Sequence, residues 1–305
     1  SYRGGRKHIP TVDFGANSLM TSTLARKIDI YALTWRLPII VWQMFFFVGP
    51  VIFMIAMSFF LVKNYRMTEA FEFVNWSKMM SKSYFWDSYF YTILIASAST
   101  TLAMCLAFPA AFALAFKANE TARRWAIFLL IIPFFTSYLV RTFSWFVILS
   151  EKGVVNAFLS YLGLGPYTML NTNFGTLVGY MTLTLPLVVI LQTITMANID
   201  KTLIEAARNL GCKPFATIWR VIIPLSKTGL IVAAIFCFIL SFGDFVAPFY
   251  LGGSQEPTLP ILILDTTKSG QQWPRAAVVA IFMMATLFTV AFTGIAVAYR
   301  KKTSR

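Results

Sequence analysis

Charged residues and the residue types that build chemical sites are scarce in this sequence. Only 12% of its 305 residues are charged, whereas 58% are hydrophobic. A soluble domain has about 25% charged residues, so we expect lipid rather than water to surround most of this chain. The single histidine, His8, and the lack of any cluster of His, Cys, Asp and Glu in the sequence argue against an enzyme.

Cysteine pairs and phosphate-binding loops are missing as well. The cysteines are Cys105, Cys212 and Cys237; they cannot all pair and show no Cys-x-x-Cys spacing, so neither a disulfide framework nor a zinc site is expected. The sequence has no Gly-x-x-x-x-Gly-Lys-Ser/Thr loop. We therefore expect the chain to bind no cofactor or metal and to hydrolyse no ATP through such a loop.

The positive charge of the chain is large, with 26 Lys and Arg residues against 12 Asp and Glu residues and a net charge of +14. Nucleic-acid binding would require these charges to cluster on a soluble domain. Instead they lie in short segments between apolar runs, as in membrane proteins. The sequence therefore predicts membrane lipid, and no nucleic acid, as a partner.

Six apolar windows are long enough to cross a bilayer, which takes about 20 residues of helix. They cover residues 37–62, 88–116, 125–149, 173–197, 229–251 and 276–299. They predict an all-α membrane protein with six transmembrane helices between an N-terminal arm, 1–36, and a tail, 300–305. Prolines such as Pro109 and Pro186 predict kinks. The apolar stretch 153–166 is too short to span and predicts an interfacial helix.

Most of the basic residues fall on one side of this predicted bundle. That side holds the N-terminal arm, the tail and a polar segment, 198–224, between spans four and five. By the positive-inside rule, both termini and the polar segment are predicted to be cytoplasmic.

The polar segment has the pattern of two short helices separated by a glycine. Asp200 is placed to cap a helix over 201–210, and Gly211 can end that helix in left-handed geometry. Pro214 fits the first turn of the next helix, where its missing N–H is tolerated.

The faces of the first short helix suggest two roles. The spacing of Leu203, Ala207 and Leu210 predicts one apolar face. Glu205 and Arg208 then face water or another protein. On these grounds the segment either braces the bundle or docks a cytoplasmic protein.

Two charged residues fall inside predicted spans, Arg141 in span three and Asp244 in span five. Each lies roughly 22–24 Å along its helix from the cytoplasmic side, so the two reach similar depths. Either they pair, or extend to the lipid headgroups, and only fix the packing, or Asp244 lines the route of a cationic solute. Tyr138 and Trp145 would then add cation–π attraction.

Polar residues elsewhere extend this candidate pathway. Glu151 follows span three at its outer end, where it would meet solute or a binding protein. Thr184 is a polar residue within the uncharged fourth span.

The stretch EAARNLG at 205–211, followed after nine residues by VIIP at 221–224, resembles the EAA motif of bacterial ABC-importer permeases. The matching residues are Glu205, Ala206, Ala207, Gly211 and Pro224. Val221 and Ile223 replace the Ile and Leu of the motif conservatively. In that family the loop forms coupling helices that insert into a groove of the ATP-hydrolysing subunit, so the resemblance implies that role for the matching residues and for Arg208.

Two further stretches resemble the spermidine/putrescine branch of these permeases. They are LIIPFFTSYLVRTFSWFVILSEKGVVN at 130–156 and FILSFGDFVAPFYLGG at 238–253. The resemblance implies import of a polyamine such as spermidine or putrescine. Another small amine, or an amino-acid-like, opine or phosphonate solute, is the alternative.

The resemblance also implies an architecture and a set of partners. The fold would be a type I ABC-importer permease in the bacterial inner membrane, with coupling helices between spans four and five. Two copies of an ATP-binding subunit would carry ATP and Mg, and a second, homologous permease chain would complete the pathway. An extracytoplasmic solute-binding protein would deliver the solute, which crosses by alternating access.

An ion-driven secondary transporter is the rival from another class. Such folds often contain internal repeats and several buried acidic groups. The sequence shows no convincing repeat, and Asp244 is the only acidic residue within a predicted span. A channel, which needs no ATP, would be separated from an importer by uptake in vesicles.

Overall fold

The computed structural model describes residues 34–63, 66–254 and 256–299, most of which are helical. The helices are α1 (Thr34–Met57), α2 (Val74–Met80), α3 (Ser83–Lys117), α4 (Glu120–Phe135), α5 (Tyr138–Leu149), α6 (Val154–Tyr161), α7 (Asn173–Ala197), α8 (Lys201–Asn209), α9 (Pro214–Gly243), α10 (Val246–Tyr250), α11 (Leu259–Lys268) and α12 (Trp273–Tyr299). The predicted tail and residues 1–33 of the predicted arm lie outside the described residues.

Five of these helices, α1, α3, α7, α9 and α12, are each long and apolar enough to cross a membrane. The bent run from α4 to α6 brings the number of candidate spans to six. The contacts divide the chain into one unit that ends at Ala56 and a second unit that begins at Met57. Apart from α1, all elements described below belong to the second unit.

The predicted third span is not a single helix. It is interrupted between Phe135 and Tyr138, where the chain bends by 93°. Pro133 lies in a 3-10 turn, and Thr136 after it is extended, with its hydroxyl donating to the Pro133 carbonyl at 2.8 Å. Because proline has no N–H to continue the helix and Thr136 leaves helical geometry, the span breaks here.

The first and fifth predicted spans also end differently from the prediction. The first helix stops at Met57, and Leu61–Lys63 (β1) pairs antiparallel with Arg66–Thr68 (β2), with Leu61 opposite Thr68. The fifth stops at Gly243, and a short helix, α10, follows after a two-residue break. By contrast, Pro109 and Pro186 lie inside α3 and α7, which continue through them.

The centre of the second unit is formed by α3, α7 and α9, which pack on one another, while α12 packs against α9 and α11. Small residues permit this close approach in lipid. Ala103, Ala107 and Ala111 form a fully buried row along α3. On the same helix, the Ser99 hydroxyl lies 3.1 Å from the hydroxyl of Ser241 on α9, which ties the two spans by a hydrogen bond.

Candidate functional site

The helix α8 of the polar segment has a capping residue at its start and a glycine after its end. Asp200 caps it, because the Asp200 carboxylate accepts the Thr202 backbone N–H at 2.9 Å. This hydrogen bond lowers the pKa of the Asp200 carboxyl. At the other end, Gly211 has φ of +81°. Its N–H donates to the Arg208 carbonyl at 2.9 Å, and the Cys212 N–H donates to the Ala207 carbonyl at 3.0 Å, which together form a Schellman motif.

The buried face of α8 differs from the predicted one. Ile204 and Ala207 are buried, whereas Leu203 is half-exposed and Leu210 is 86% exposed. Ile204 packs with residues at the end of α3, the end of α7 and the start of α9. The predicted face is confirmed at Ala207 and wrong at Leu203 and Leu210. Leu210 lies at the C-cap, beyond the last helical residue, and Ile204, three residues before Ala207, shares the buried face instead.

The residues matched to the EAA motif therefore divide by location. Glu205, Ala206, Arg208 and Gly211 are exposed, as is Pro224 farther along, and Ala207 is the anchor that faces the bundle. Glu205 has no ion-pair partner within the described residues, where the one ion pair joins Arg124 and Glu120. The carboxylate of Glu205 is thus available to an external cation.

A cleft of about 400 Å³ lies beside this segment, between α8, the end of α3 and the start of α9. Its charged lining residues are Lys117, Lys201, Glu205 and Arg208. Phe112 and Phe116 of α3 form its apolar floor with residues of α8 and α9. The polar segment is therefore attached to the spans by apolar packing and presents charge outward.

The start of α9 contains a wide turn before Pro224. Pro214 occupies the first turn of α9, and residues Ile218–Ile222 form a π-helical turn in which the Ile223 N–H donates to the Ile218 carbonyl. Pro224 has no N–H to continue the regular pattern. The wide turn thus lies where the proline interrupts the helical hydrogen bonds, between the polar segment and the rest of span five.

The two breaks in the spans meet at Asp244. Tyr138, the first residue of α5, donates its hydroxyl hydrogen to the Asp244 carboxylate at 2.7 Å. Asp244 also accepts the backbone N–H groups of Val246 and Ala247, both at 3.1 Å, and so caps α10. Asp244 is 9% exposed. The sequence predicted both Asp244 and Tyr138 as pathway residues. It did not predict the hydrogen bond that joins Tyr138, at the break in span three, to Asp244, at the break in span five.

Arg141 does not pair with Asp244 in this structure, so the pairing alternative is not observed, and the pathway role of the two residues stays a prediction. Its guanidinium donates to the Thr182 carbonyl on α7 at 3.2 Å and lies 6.0 Å from the centre of the Tyr138 ring. The buried Nε of Arg141 has no hydrogen-bond partner within the described residues. Asp244 instead accepts hydrogen bonds from the Tyr138 hydroxyl and from the backbone N–H groups of Val246 and Ala247.

Among the described residues, no hydrogen bond joins the other predicted pathway residues to Asp244 or Tyr138. Thr184 is fully buried, and its hydroxyl donates to the Tyr180 carbonyl at 2.9 Å. Trp145 is partly buried on α5, and Glu151 is exposed in the turn between α5 and α6. The structure adds Tyr180, which is fully buried with a hydroxyl that has no partner in the described part of the chain. The sequence could have indicated Tyr180, because it lies one helical turn before Thr184 and so shares a face of α7 with it.

Comparison with known proteins shows which family the chain matches. Residues 99–305 match the family described as "Binding-protein-dependent transport system inner membrane component". The chain is 28% identical to the spermidine/putrescine transport system permease protein PotB of Haemophilus influenzae, over 79% of this chain and 84% of that protein. It is also 28% identical to PotB of Escherichia coli K12, over 80% and 89% of the two chains.

A solved structure shares the fold. A chain from the crystal structure of a bacterial ABC transporter involved in the import of the acidic polysaccharide alginate matches with a TM-score of 0.72 and 17% identity. The match covers 93% of this chain and 99% of that one.

Together these findings define a class, an integral membrane permease with the ABC-importer fold. The chain belongs to the family of binding-protein-dependent transport system inner membrane components. It is a transport subunit of the inner membrane and not an enzyme, because ATP hydrolysis in this family is done by separate subunits. Family membership also implies a solute-binding protein as a partner.

Proposed function

We propose that this permease imports a linear polyamine such as spermidine or putrescine by alternating access. The PotB relatives are named for that transport. Chemically, Asp244 offers a buried carboxylate beside the ring of Tyr138 at the meeting point of two broken spans. A carboxylate next to an aromatic ring suits an ammonium group through charge and cation–π attraction.

The observation that carries the ATP-driven mechanism is the build of the polar segment. The helix α8 is fixed to the spans by Ile204 and Ala207, and it ends in a Schellman motif at Gly211. Glu205 and Arg208 are exposed beside Ala206, whose small side chain permits close approach. We assign the ATPase-docking role to this exposed face, with Ala207 as its positioning residue and Pro224 at the hinge with span five.

The proposed assembly follows from this assignment. Two ATP-binding subunits dock on the cytoplasmic side and carry ATP and Mg, and this chain contributes no cofactor of its own. A second, homologous permease chain forms a heterodimer with this one, and the solute passes between them. Both termini are cytoplasmic, and the solute-binding protein delivers its load at the opposite face.

Within the pathway we assign separate roles to the predicted residues. Asp244 attracts the cation, and Tyr138 and Arg141 hold the break between α4 and α5 against α7 and Asp244. Trp145 and Thr184 line or support the route, and Glu151 meets the solute or the binding protein at the outer surface. These roles form one pathway only when the spans open, since Thr184 is fully buried in this structure.

The docking role is tested by Glu205→Lys in the assembled importer. We expect the variant to reach the membrane but to lose co-purification of the ATPase and ATP-driven uptake, because a lysine replaces the free carboxylate of the docking face. The matched control is Glu69→Lys, the same exchange at an exposed residue that follows β2. Normal uptake with a bound ATPase in Glu205→Lys would refute the docking role.

A further inference from the structure

Pro186 lies inside α7 and removes one hydrogen bond from that helix. In a regular α-helix the N–H of residue 186 would donate to the carbonyl of Thr182, four residues earlier. Proline has no N–H, so the Thr182 carbonyl loses its helical donor. An unpaired carbonyl in a membrane span is destabilising, because lipid offers no other donor. The helix α7 therefore needs a hydrogen-bond donor from another element at Thr182.

Arg141 on α5 supplies this donor. Its guanidinium donates to the Thr182 carbonyl at 3.2 Å. The hydroxyl groups of Thr182 and Thr184 are used elsewhere, since they donate to carbonyls one turn earlier on α7 at 2.8 Å and 2.9 Å. Among the described residues, Arg141 is thus the only side chain that donates to the carbonyl that Pro186 leaves free.

This contact connects Pro186 with the two breaks in the spans. Arg141 lies on the same helix as Tyr138, and its guanidinium is 6.0 Å from the centre of the Tyr138 ring. Tyr138 in turn donates to Asp244, at the break before α10. One line of contacts therefore joins the interrupted hydrogen bonding of α7 to the breaks in span three and span five.

The helix α5 is separated from its neighbours in the chain at both ends. Thr136 before it and Ser150 after it are extended, with ψ of 145° and 160°. The helix can therefore shift without breaking the helical hydrogen bonds of α4 or α6. Its position depends on side-chain contacts, such as that of Arg141 with α7 and that of Phe143, whose ring centre lies 4.7 Å from a ring of α10.

The hydrogen bonding of Arg141 is incomplete. A guanidinium has several N–H donors, yet the buried Nε of Arg141 has no partner within the part of the chain that the structure describes. The hydrogen bond to Thr182 is 3.2 Å long, whereas the one from Tyr138 to Asp244 is 2.7 Å long. Longer hydrogen bonds are weaker, so we expect the contact between α5 and α7 to open before the contact between Tyr138 and Asp244.

We propose that Arg141 and Pro186 form a latch that holds α5 against α7. Pro186 leaves the Thr182 carbonyl free, and the guanidinium of Arg141 replaces the missing N–H. Arg141 is a positioning residue in this role, which requires no contact with solute. Opening of the latch during transport rests on the proposed function, whereas the latch itself does not.

A double-mutant cycle on the full chain in lipid nanodiscs tests the latch without transport. Arg141→Met removes the donor, and Pro186→Ala restores an N–H that can donate to Thr182. Hydrogen exchange of the amides of α5 is measured by mass spectrometry. We expect Arg141→Met to accelerate this exchange by about tenfold, the effect of losing one hydrogen bond from a charged group. With Pro186→Ala present, we expect Arg141→Met to change it little.

The comparison of the two backgrounds carries the test, because any effect of Pro186→Ala by itself cancels. Equal effects of Arg141→Met with and without Pro186→Ala would overturn the proposal, since Arg141 would then act through another partner. If Arg141→Met does not accumulate in the membrane, its level is compared with that of the double variant. Failure of Pro186→Ala to restore that level would overturn the proposal as well.

Pro109→Ala is the matched control. Pro109 also lies inside a long span, α3. The carbonyl four residues before it belongs to Cys105, and no side chain among the described residues donates to that carbonyl. We expect Arg141→Met to have its full effect in the Pro109→Ala background. Rescue by Pro109→Ala equal to that by Pro186→Ala would overturn the proposal by showing a general effect of removing a proline.

Opening of the latch is tested in the assembled importer. Exchange in α5 is compared between the nucleotide-free importer and the importer trapped with ATP and vanadate. We expect faster exchange in the trapped importer, and equal exchange in the two states would overturn the opening. If the cycle shows the latch but the importer carries no spermidine, the proposed function fails and the latch stands. If Arg141→Met carries spermidine at the normal rate, the latch has no part in transport and polyamine import stands.

Discussion

Helices end both in the polar segment and at the two breaks in the spans, but the surroundings of these helix ends differ. In the polar segment, Gly211 ends α8 in left-handed geometry with open space around it. At the breaks, Asp244 and Tyr138 satisfy each other and the start of α10 within the bundle. A helix that ends at the surface needs only a residue that tolerates left-handed geometry. A helix that ends inside the bundle needs hydrogen-bond partners from distant elements, because lipid supplies no hydrogen bonds.

The glycines show the same contrast. A Cβ at Gly211 meets no atom within 4 Å, so only its φ of +81° requires glycine. A Cβ at Gly179 on α7 would lie 2.4 Å from the Ala247 Cβ on α10. One position is fixed by conformation and the other by the close approach of two helices.

The largest effect is expected at the buried break. Asp244→Asn removes the charge and replaces one of the two acceptor oxygens with an NH2 donor, so at least one of the accepted hydrogen bonds is also lost. We expect uptake of spermidine to fall by about tenfold in vesicles of the assembled importer. Tyr138→Phe removes one hydrogen bond of roughly 0.5–1.5 kcal/mol and should have a smaller effect. Asp265→Asn serves as the charge control. Unchanged uptake in Asp244→Asn would leave Asp244 with only its capping role.

The two glycines come next, because their effect is on the stability of the fold and reaches uptake only indirectly. Gly179→Ala forces atoms apart and should destabilise the purified chain by about 1–3 kcal/mol in thermal unfolding. Gly211→Ala costs about 1–2 kcal/mol for left-handed geometry and acts at the end of α8 in the polar segment. Gly211→Asn should be milder, because asparagine tolerates that conformation. A Gly211→Asn variant as disruptive as Gly211→Ala would contradict the conformational explanation.

The smallest effect is the pH dependence of the cap on α8. The folded pKa of Asp200 is lowered, so its stabilisation is complete above the ordinary pKa of about 3.9 and is lost as pH falls through the lower folded value. Pepsin cleavage at Leu203 or Leu210 should accelerate over that range relative to Asp200→Asn, whose cap does not titrate. A constant ratio between the two proteins would contradict the prediction.

The sequence predicted the polar segment better than the interior. The helix ends of this segment depend on neighbours in the chain. The structure places Asp200 at the start of α8, Gly211 after its end and Pro214 in the first turn of α9, as these residue types favour. The interruption of span three was missed, although Pro133 lies within it, because Pro109 and Pro186 occur in helices that continue. Local sequence does not decide between these outcomes.

The sequence by itself determined that lipid surrounds the chain, that ATP is hydrolysed elsewhere, and that one polar segment resembles the EAA motif. These features depend on composition, on a missing loop and on fixed spacing along the chain. Only the tertiary structure decided that Asp244 binds Tyr138 rather than Arg141, and that Arg141 donates to the carbonyl that Pro186 leaves free. Such contacts join residues far apart in sequence, and their partners are selected by the packing of the spans.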